Sequence, residues 1–394
     1  MQFRIDGAIL GRRWYLPAYL THRAAQGFVS LMIIVDAHED IAFNALSAGR
    51  DYFKSALDKR RAEAGTDAAT NEGLAMVGLP EAILGRVAIV FSTIFTEPDR
   101  ATALAPSAFS NQRYKTPREA YDLGIQQLDY YRRVWDASER AQPVRTVAEL
   151  DAVLATWADG LEVTDRRQGM VLLMENADPI LEPRQFEEWY EYGVRVVGPA
   201  WAGTRYCGGT GEPGPLTALG RELLDVMGDM NVLLDLSHMP EESFFEALDR
   251  YDGQMIASHS NPRRFVGARD DGRQRLLSDT QIRRLAERDG VMGMVPYNRF
   301  MHPTWVKGDA PIPGSRVLEM IDHVCQVTGS ARHVGIGTDF DGGFGAESTP
   351  EGFDTVGDLW ILDTWLRERG YGDAEVEAIL SGNFLRKLRQ TLPA

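Results

Sequence analysis

Five short stretches, spread across most of the chain, each end an apolar run on a side chain able to bind a metal ion. Ile33-Ile34-Val35-Asp36-Ala37 leads into His38-Glu39-Asp40, and Val171-Leu172-Leu173-Met174 leads into Glu175. Val232-Leu233-Leu234-Asp235-Leu236-Ser237 leads into His238, Met255-Ile256-Ala257-Ser258 into His259, and Val334-Gly335-Ile336-Gly337-Thr338 into Asp339. Imidazole nitrogens and carboxylate oxygens are zinc-type ligands. His38 and Asp40 lie two apart, so on an extended segment they face one side and can reach one ion. Glu175 closes a run with no other charge, a costly place for an unpaired carboxylate. Its two oxygens also let it bridge a pair of cations, which a single imidazole nitrogen cannot do. Metal ions of this kind bring the pKa of water close to neutrality, so hydrolysis needs no protein nucleophile. No Gly-x-Ser-x-Gly elbow and no Cys–His pair in a suitable context is present. The chemistry still needs a carboxylate that orients the attacking water and passes its proton to the leaving group. Asp339 is placed for that role, with Asp341 as a structural or supporting neighbour.

Such residues act together only if the strands that carry them end at one place. Continuous apolar runs are the pattern of buried parallel strands, and an α/β barrel gathers its chemistry at the C-terminal ends of its strands. Strands are expected at roughly 32–36, 87–92, 170–175, 194–198, 232–237, 255–258, 291–296 and 333–338. Helical patterns lie between them, among them Leu216 to Met230, Glu241 to Tyr251, Asp279 to Arg288 and Arg316 to Val327. This alternation predicts a (β/α)8 TIM barrel of the metal-dependent hydrolase type. A helical insertion between strands two and three, with helices near 117–138 and 146–157, is expected to pack on the barrel. Gly342-Gly343-Phe344-Gly345 reads as a mobile loop past the eighth strand. The competing architecture, an open doubly wound sheet, lacks its Gly-rich phosphate turn after the first strand. Of the other histidines, His323 falls in a helix pattern and His333 at the bottom of the barrel. His302, after the seventh strand, is a minor candidate for the catalytic face.

The chain has 394 residues and a formal net charge of −15. That balance argues against nucleic acid or anionic membrane as partners, since both select basic surfaces. Cys207 and Cys325 are too few for a disulfide framework and read as free thiols in a reducing compartment. Arg12-Arg13 is not followed by an apolar stretch of signal length, because His22, Arg23 and Gln26 interrupt it. The expected location is cytoplasmic. Residues 1–31 read as an N-terminal extension of uncertain status, ahead of a single catalytic domain over 32–394.

Taken together, these motifs resemble the membrane dipeptidase (renal dipeptidase) family of zinc peptidases, from about Ile33 to the C-terminus. Asp36-Ala37-His38-Glu39-Asp40 matches the family's Asp-x-His-x-Asp opening. Asp235-Leu236-Ser237-His238 and Ser258-His259-Ser260-Asn261 match its histidine segments. Gly335 to Gly342 matches its Gly-Asp-Phe-Asp-Gly segment, and Gly382-Asn383-Phe384-Leu385-Arg386 its C-terminal signature. The resemblance implies a pair of zinc ions, one on His38 and Asp40, the other on His238 and His259, with Glu175 bridging. It implies Asp339 as the proton carrier and places Arg275 and Tyr297 at the substrate's carboxylate end. The expected substrate is a small dipeptide, D-residues being tolerated on its C-terminal side, and a homodimer is the candidate assembly. Two departures stand out. Glu175-Asn176-Ala177 replaces the usual Glu-Gly-Gly, and Pro199-Ala200-Trp201 replaces Leu-Thr-His, whose histidine helps to hold the scissile oxygen. Trp201 therefore keeps open hydrolysis of another small amide, a cyclic amide or a lactone, and behind that a non-catalytic metal-binding barrel.

Overall fold

The computed structural model describes residues 32–100 and 110–394; the expected extension over 1–31 lies outside the described residues. Eight parallel strands close on themselves: β1 (Ile34–Glu39), β2 (Val87–Phe95), β3 (Gln168–Glu175), β4 (Val194–Gly198), β5 (Leu233–Asp235), β6 (Met255–Ala257), β7 (Val291–Met294) and β8 (Val334–Ile336). Each pairs with its successor, and β8 returns to β1 through Asp36 opposite Ile336. Closure removes the sheet edges that the open competitor would have left exposed. Every residue of β1, β2, β3 and β4 is buried, as the unbroken apolar runs require.

Boundaries differ from the sequence pattern for local reasons. Strand β1 runs to Glu39 rather than stopping at 36, so His38 belongs to the strand itself. Strand β5 stops at Asp235 because that carboxylate takes over amide pairing, accepting from the Ser237 and Ser258 N–H groups at 3.0 and 2.8 Å. Ser237 and His238 therefore stand in the turn beyond it.

The insertion is built around α1 (Pro117–Ala137), started by a reciprocal Thr116–Glu119 capping box with Pro at its first turn. Its buried face holds the far end of β2. Gln127 Oε1 accepts from the Phe95 N–H at 2.8 Å, and the Tyr131 hydroxyl donates to the Thr93 carbonyl at 2.7 Å while accepting from the Ala42 N–H at 3.2 Å. That fixes Thr93, which bonds Asp40. The insertion thus supports the site rather than forming a separate body.

The last helix, α2 (Asn383–Thr391), closes the opposite end. Lys387, fully buried, donates to Gln254 at 2.8 Å and Asp289 at 3.1 Å, residues that shortly precede β6 and β7. Asn383 donates to the Val334 carbonyl at the start of β8, at 2.8 Å. Phe384, Leu388 and Leu392 join Val35, Phe91, Leu173, Leu233 and Ile256 in one buried cluster. With one mouth plugged, only the C-terminal mouth is left to open onto a cavity.

Candidate metal centre

Donor atoms from β1 and β3 and from the segments after β1, β5, β6 and β8 converge at that mouth. His38 Nε2 lies 3.5 Å from Glu175 Oε2, 3.8 Å from Asp40 Oδ1 and 3.9 Å from Asp339 Oδ1. On the other side, Glu175 Oε1 lies 3.1 Å from His238 Nε2 and 3.3 Å from His259 Nε2, and those two nitrogens are 3.0 Å apart. The ring centroids of His38 and His259 are stacked at 3.6 Å. All five expected ligands and Asp339 are therefore in one cluster, with Glu175 offering one oxygen to each half. The two halves overlap more than the motifs alone suggest. Donor atoms of His38, Glu175 and His259 fall within 4.8 Å of one another, and so do those of His38, Asp40 and Asp339.

This donor set fits a pair of zinc-type cations. Tetrahedral zinc with ligands at about 2.0–2.1 Å puts neighbouring donors roughly 3.3 Å apart, close to the spacing of the His238, His259 and Glu175 atoms. Neither ring nitrogen of His38 makes a well-formed hydrogen bond, although the residue is fully buried. A buried polar group without a partner is rare unless it serves a ligand.

Surrounding side chains set the tautomers. Ser258 Oγ has one proton and spends it on Asp235 Oδ2, since a carboxylate can only accept. Its contact with His259 Nδ1 at 2.8 Å must then be accepted, so Nδ1 carries the ring proton and Nε2 presents its lone pair. Outer partners of this type orient metal-binding imidazoles. His238 Nδ1 meets Thr210 Oγ1 at 2.9 Å, which can play the same part. Asp36 does for β1 and β8 what Asp235 does for β5 and β6: it accepts from the His38 and Thr338 amides at 3.3 and 2.8 Å and from the Thr338 hydroxyl at 2.6 Å. Asp40 occupies an N-cap position yet caps nothing, its carboxylate being turned to Thr93 and His38. Asp341 accepts from the Met76 and Val77 amides and pairs with Arg50, the supporting role foreseen for it.

Backbone strain gathers at the same mouth. Asn176, His238, Asp339 and Asp341 all have positive φ, between 55° and 72°, a region costly for side chains with a Cβ. Asn176 explains the first departure. Asn tolerates φ of +72° nearly as glycine does, and its amide donates to the Thr96 carbonyl at 2.7 Å and the Tyr114 hydroxyl at 2.9 Å.

Charges divide the three imidazoles. Burial alone would lower His38, but Glu175, Asp40 and Asp339 raise it to about 10. Burial, with the positive charge of Arg275, lowers His238 to about 4, and burial with the His38 charge lowers His259. Burial would raise Glu175, yet His38, His238 and His259 hold it well below the usual carboxylate range. Burial raises Asp40 to about 6 and also raises Asp339, well above the usual range. At pH 7 the metal-free cluster therefore holds a proton on His38, and metal binding there must expel it. Calorimetric titration with zinc at pH 7 in two buffers of different ionisation enthalpy should show proton release; a buffer-independent enthalpy would contradict this.

A cavity of about 400 Å³ opens over the cluster, lined by Trp201, Thr210, Arg275, Tyr297 and Phe344 among others. Arg275 is buried, donates from Nη2 to the His259 carbonyl at 3.0 Å, and leaves Nη1 without a partner. Tyr297 stacks on Phe344 at 4.1 Å, which ties down the glycine-rich loop. Trp201 faces the cavity, its ring 5.1 Å from Phe95 and 6.2 Å from His238. His302 is not brought to the site. Its Nδ1 accepts from the Thr304 amide and it lines a separate cleft with Phe265 and His323, because Arg269 grips the carbonyls of His302 and Trp305 and holds that loop outward. His323 pairs with Asp279 and His333 with the Gly290 carbonyl, both away from the cluster. Sequence reasoning missed Thr210, which comes from a short hairpin with no motif to mark it, and gave no role to Asp36 and Asp235 although each precedes a ligand by two or three residues.

Residues 22–393 match the membrane dipeptidase family, peptidase family M19. The chain belongs to the membrane dipeptidase family. Its barrel is similar to two solved structures of metallopeptidases. A crystal structure of a dipeptidase AC of family M19 superposes with a TM-score of 0.72 at 22% identity, covering 92% of this chain and 99% of that one. A metallopeptidase from Rhodobacter sphaeroides, solved with a phosphinate mimic of L-Ala-D-Ala, gives 0.72 at 22% identity over 91% and 99%. Among curated relatives, Dipeptidase 3 of Rattus norvegicus is 27% identical over 69% of this chain and 53% of its own length. A Schizosaccharomyces pombe protein named as a dipeptidase is 32% identical over 53% and 49%. The alignments thus span about half the length of these two relatives. No helix among the described residues is long and apolar enough to cross a membrane.

Proposed function

We propose that this member of the membrane dipeptidase family is a binuclear zinc dipeptidase that cleaves small dipeptides, including ones with a D-residue on the C-terminal side. The observation that carries this reading is the convergence of His38, Asp40, Glu175, His238 and His259 with Asp339 beneath a small cavity. His38 and Asp40 would hold one cation and His238 and His259 the other, with Glu175 shared. When bound, the cations supply Lewis acidity for the peptide carbonyl and activation of water. The chain's own residues do the rest. Asp339, raised by burial, can take a proton from the attacking water and give it to the departing amine, as a positioned general acid–base group does. Arg275 can direct its free Nη1 at the substrate's carboxylate. Phe43, Phe95 and Trp201 supply apolar wall to the cavity. The location is read as cytoplasmic, without nucleic-acid or membrane partners, and a homodimer is the assembly to look for.

Trp201 favours a second reading on the same centre. Where the family has a histidine that helps to hold the scissile oxygen, Trp201 can donate only through its indole N–H. That suits a flatter or differently angled carbonyl, as in a cyclic amide or lactone. Loss of one oxyanion donor costs about 3 kcal/mol in the transition state. Trp201→His is therefore expected to raise kcat on alanyl-alanine about tenfold or more. Unchanged kcat in that variant would show that another group has taken the role. Screening zinc-loaded protein on L,L- and L,D-dipeptides beside cyclic amides and lactones tests the two readings; turnover of the cyclic compounds alone would favour the second.

A further inference from the structure

The cavity is polarised in charge. On the side of β1 and β2 it is lined by Asp40, Glu72 and Glu97, and on the side of β6 and β7 by Arg269, Arg273, Arg275, Arg299 and Lys307, with Asp270 among them; Asp270 is paired with Arg263 and Lys307 with Glu347. Glu72 is almost fully buried and its Oε1 has no partner. A dipeptide lying across such a field turns its ammonium toward Glu72 and its carboxylate toward the arginines.

One carboxylate needs one guanidinium, and Arg275, with its free buried Nη1, is already there. The other arginines exceed that need. Arg273 and Arg299 make no ion pair or side-chain hydrogen bond among the described residues. Among the described residues Arg269 is bonded only to neutral carbonyls, those of His302, Pro303 and Trp305, so no carboxylate there neutralises its charge. In a chain of net charge −15, such a concentration of unpaired positive charge around one cavity runs against the average surface. It is also built. Asp270 accepts from the Arg275 and Leu276 amides at 3.1 and 2.9 Å, and Gln274 takes a left-handed φ of 50° with its side-chain oxygen accepting from the Glu241 amide. That turn presents Arg273 and Arg275 to the cavity from either side of Gln274. Arg273 and Arg299 both stand close enough to Arg269 for their charges to act on it, and the Phe300 ring lies beneath the Arg275 guanidinium, its centre 5.3 Å from the guanidinium carbon.

We propose that the preferred substrates are dipeptides whose C-terminal residue is acidic, with Arg273 and Arg299 holding the side-chain carboxylate while Arg275 takes the main-chain one. This rests on the dipeptidase reading above and names its substrate class. Charge-assisted pairing of this kind discriminates against a neutral isostere by leaving cations without a partner.

The test compares zinc-loaded full-length protein on alanyl-aspartate, alanyl-asparagine and alanyl-alanine, each with an L- and a D-residue at the C-terminal position. Expected is a kcat/KM for the better aspartate isomer at least about tenfold above its asparagine counterpart, carried mainly by KM. In Arg273→Gln and Arg299→Gln the aspartate-to-asparagine ratio should fall toward one. Asparagine or alanine substrates cleaved as well as aspartate would overturn the proposal. A preference for aspartate that survives both substitutions would overturn the assignment to these arginines. Absence of turnover on every dipeptide would remove the dipeptidase reading, and this inference with it.

Discussion

Glu175→Gln is expected to strip the protein of metal and lower dipeptide turnover by roughly a thousandfold. The carboxylate lies within 3.5 Å of donors in both halves of the cluster, reaching His38 through Oε2 and His238 and His259 through Oε1. Glutamine keeps the shape but offers one acceptor oxygen in place of two and loses the negative charge. Metal ions typically stabilise the transition state by several kcal/mol, and about 4 kcal/mol corresponds to roughly a thousandfold. If Glu175 were only a structural partner of the imidazoles, the variant would be destabilised yet still bind zinc in full. Elemental analysis of the purified variant, beside its thermal midpoint, separates the two roles: full zinc content with lowered stability would refute the bridging one.

Asp339→Asn is expected to keep both the fold and the metal while losing about a hundredfold or more in kcat, the usual contribution of a positioned acid–base group. The side chain is 13% exposed and 3.9 Å from His38 Nε2, close enough to border the metal site. Its backbone, at φ +55°, is held by a hydrogen bond that the Asp339 N–H donates to the His38 carbonyl at 3.1 Å. Asparagine tolerates that backbone and fills the same space, so the change isolates proton transfer from architecture. Near wild-type turnover in a fully metallated variant would remove Asp339 from the mechanism. Loss of metal together with activity would make it a ligand, as its closeness to His38 and Asp40 allows.

Much of the fold and of the candidate metal site is legible in the amino-acid sequence, for physical reasons. A parallel strand buried on both faces must be apolar throughout, so eight such runs announce the barrel, and the polar residues that end five of them mark the mouth. Glu175 is legible because a lone charge closing a run such as Val171 to Met174 must be paired or bound to metal. Other features depend on geometry that sequence spacing does not encode. Asp40 sits where an N-cap would be, and only the placement of Thr93 turns its carboxylate to the site. Thr210 reaches His238 from a hairpin after β4, through a contact between residues 28 apart. His302 follows β7 as a catalytic residue would, yet Arg269 draws its loop away. Trp201 stands out in the sequence as a departure, but the packing of its ring against Phe95, within reach of His238 at the cavity wall, follows from the fold alone.

A metal pair held by these side chains is what would make the chain a dipeptidase. The most direct test is the rate of hydrolysis of a dipeptide panel by metal-free protein as zinc is added back stepwise. No turnover is expected without metal, followed by a rise that levels off near two equivalents per chain. Turnover that is undiminished in the metal-free protein, or no dipeptide cleaved at any zinc content, would contradict it.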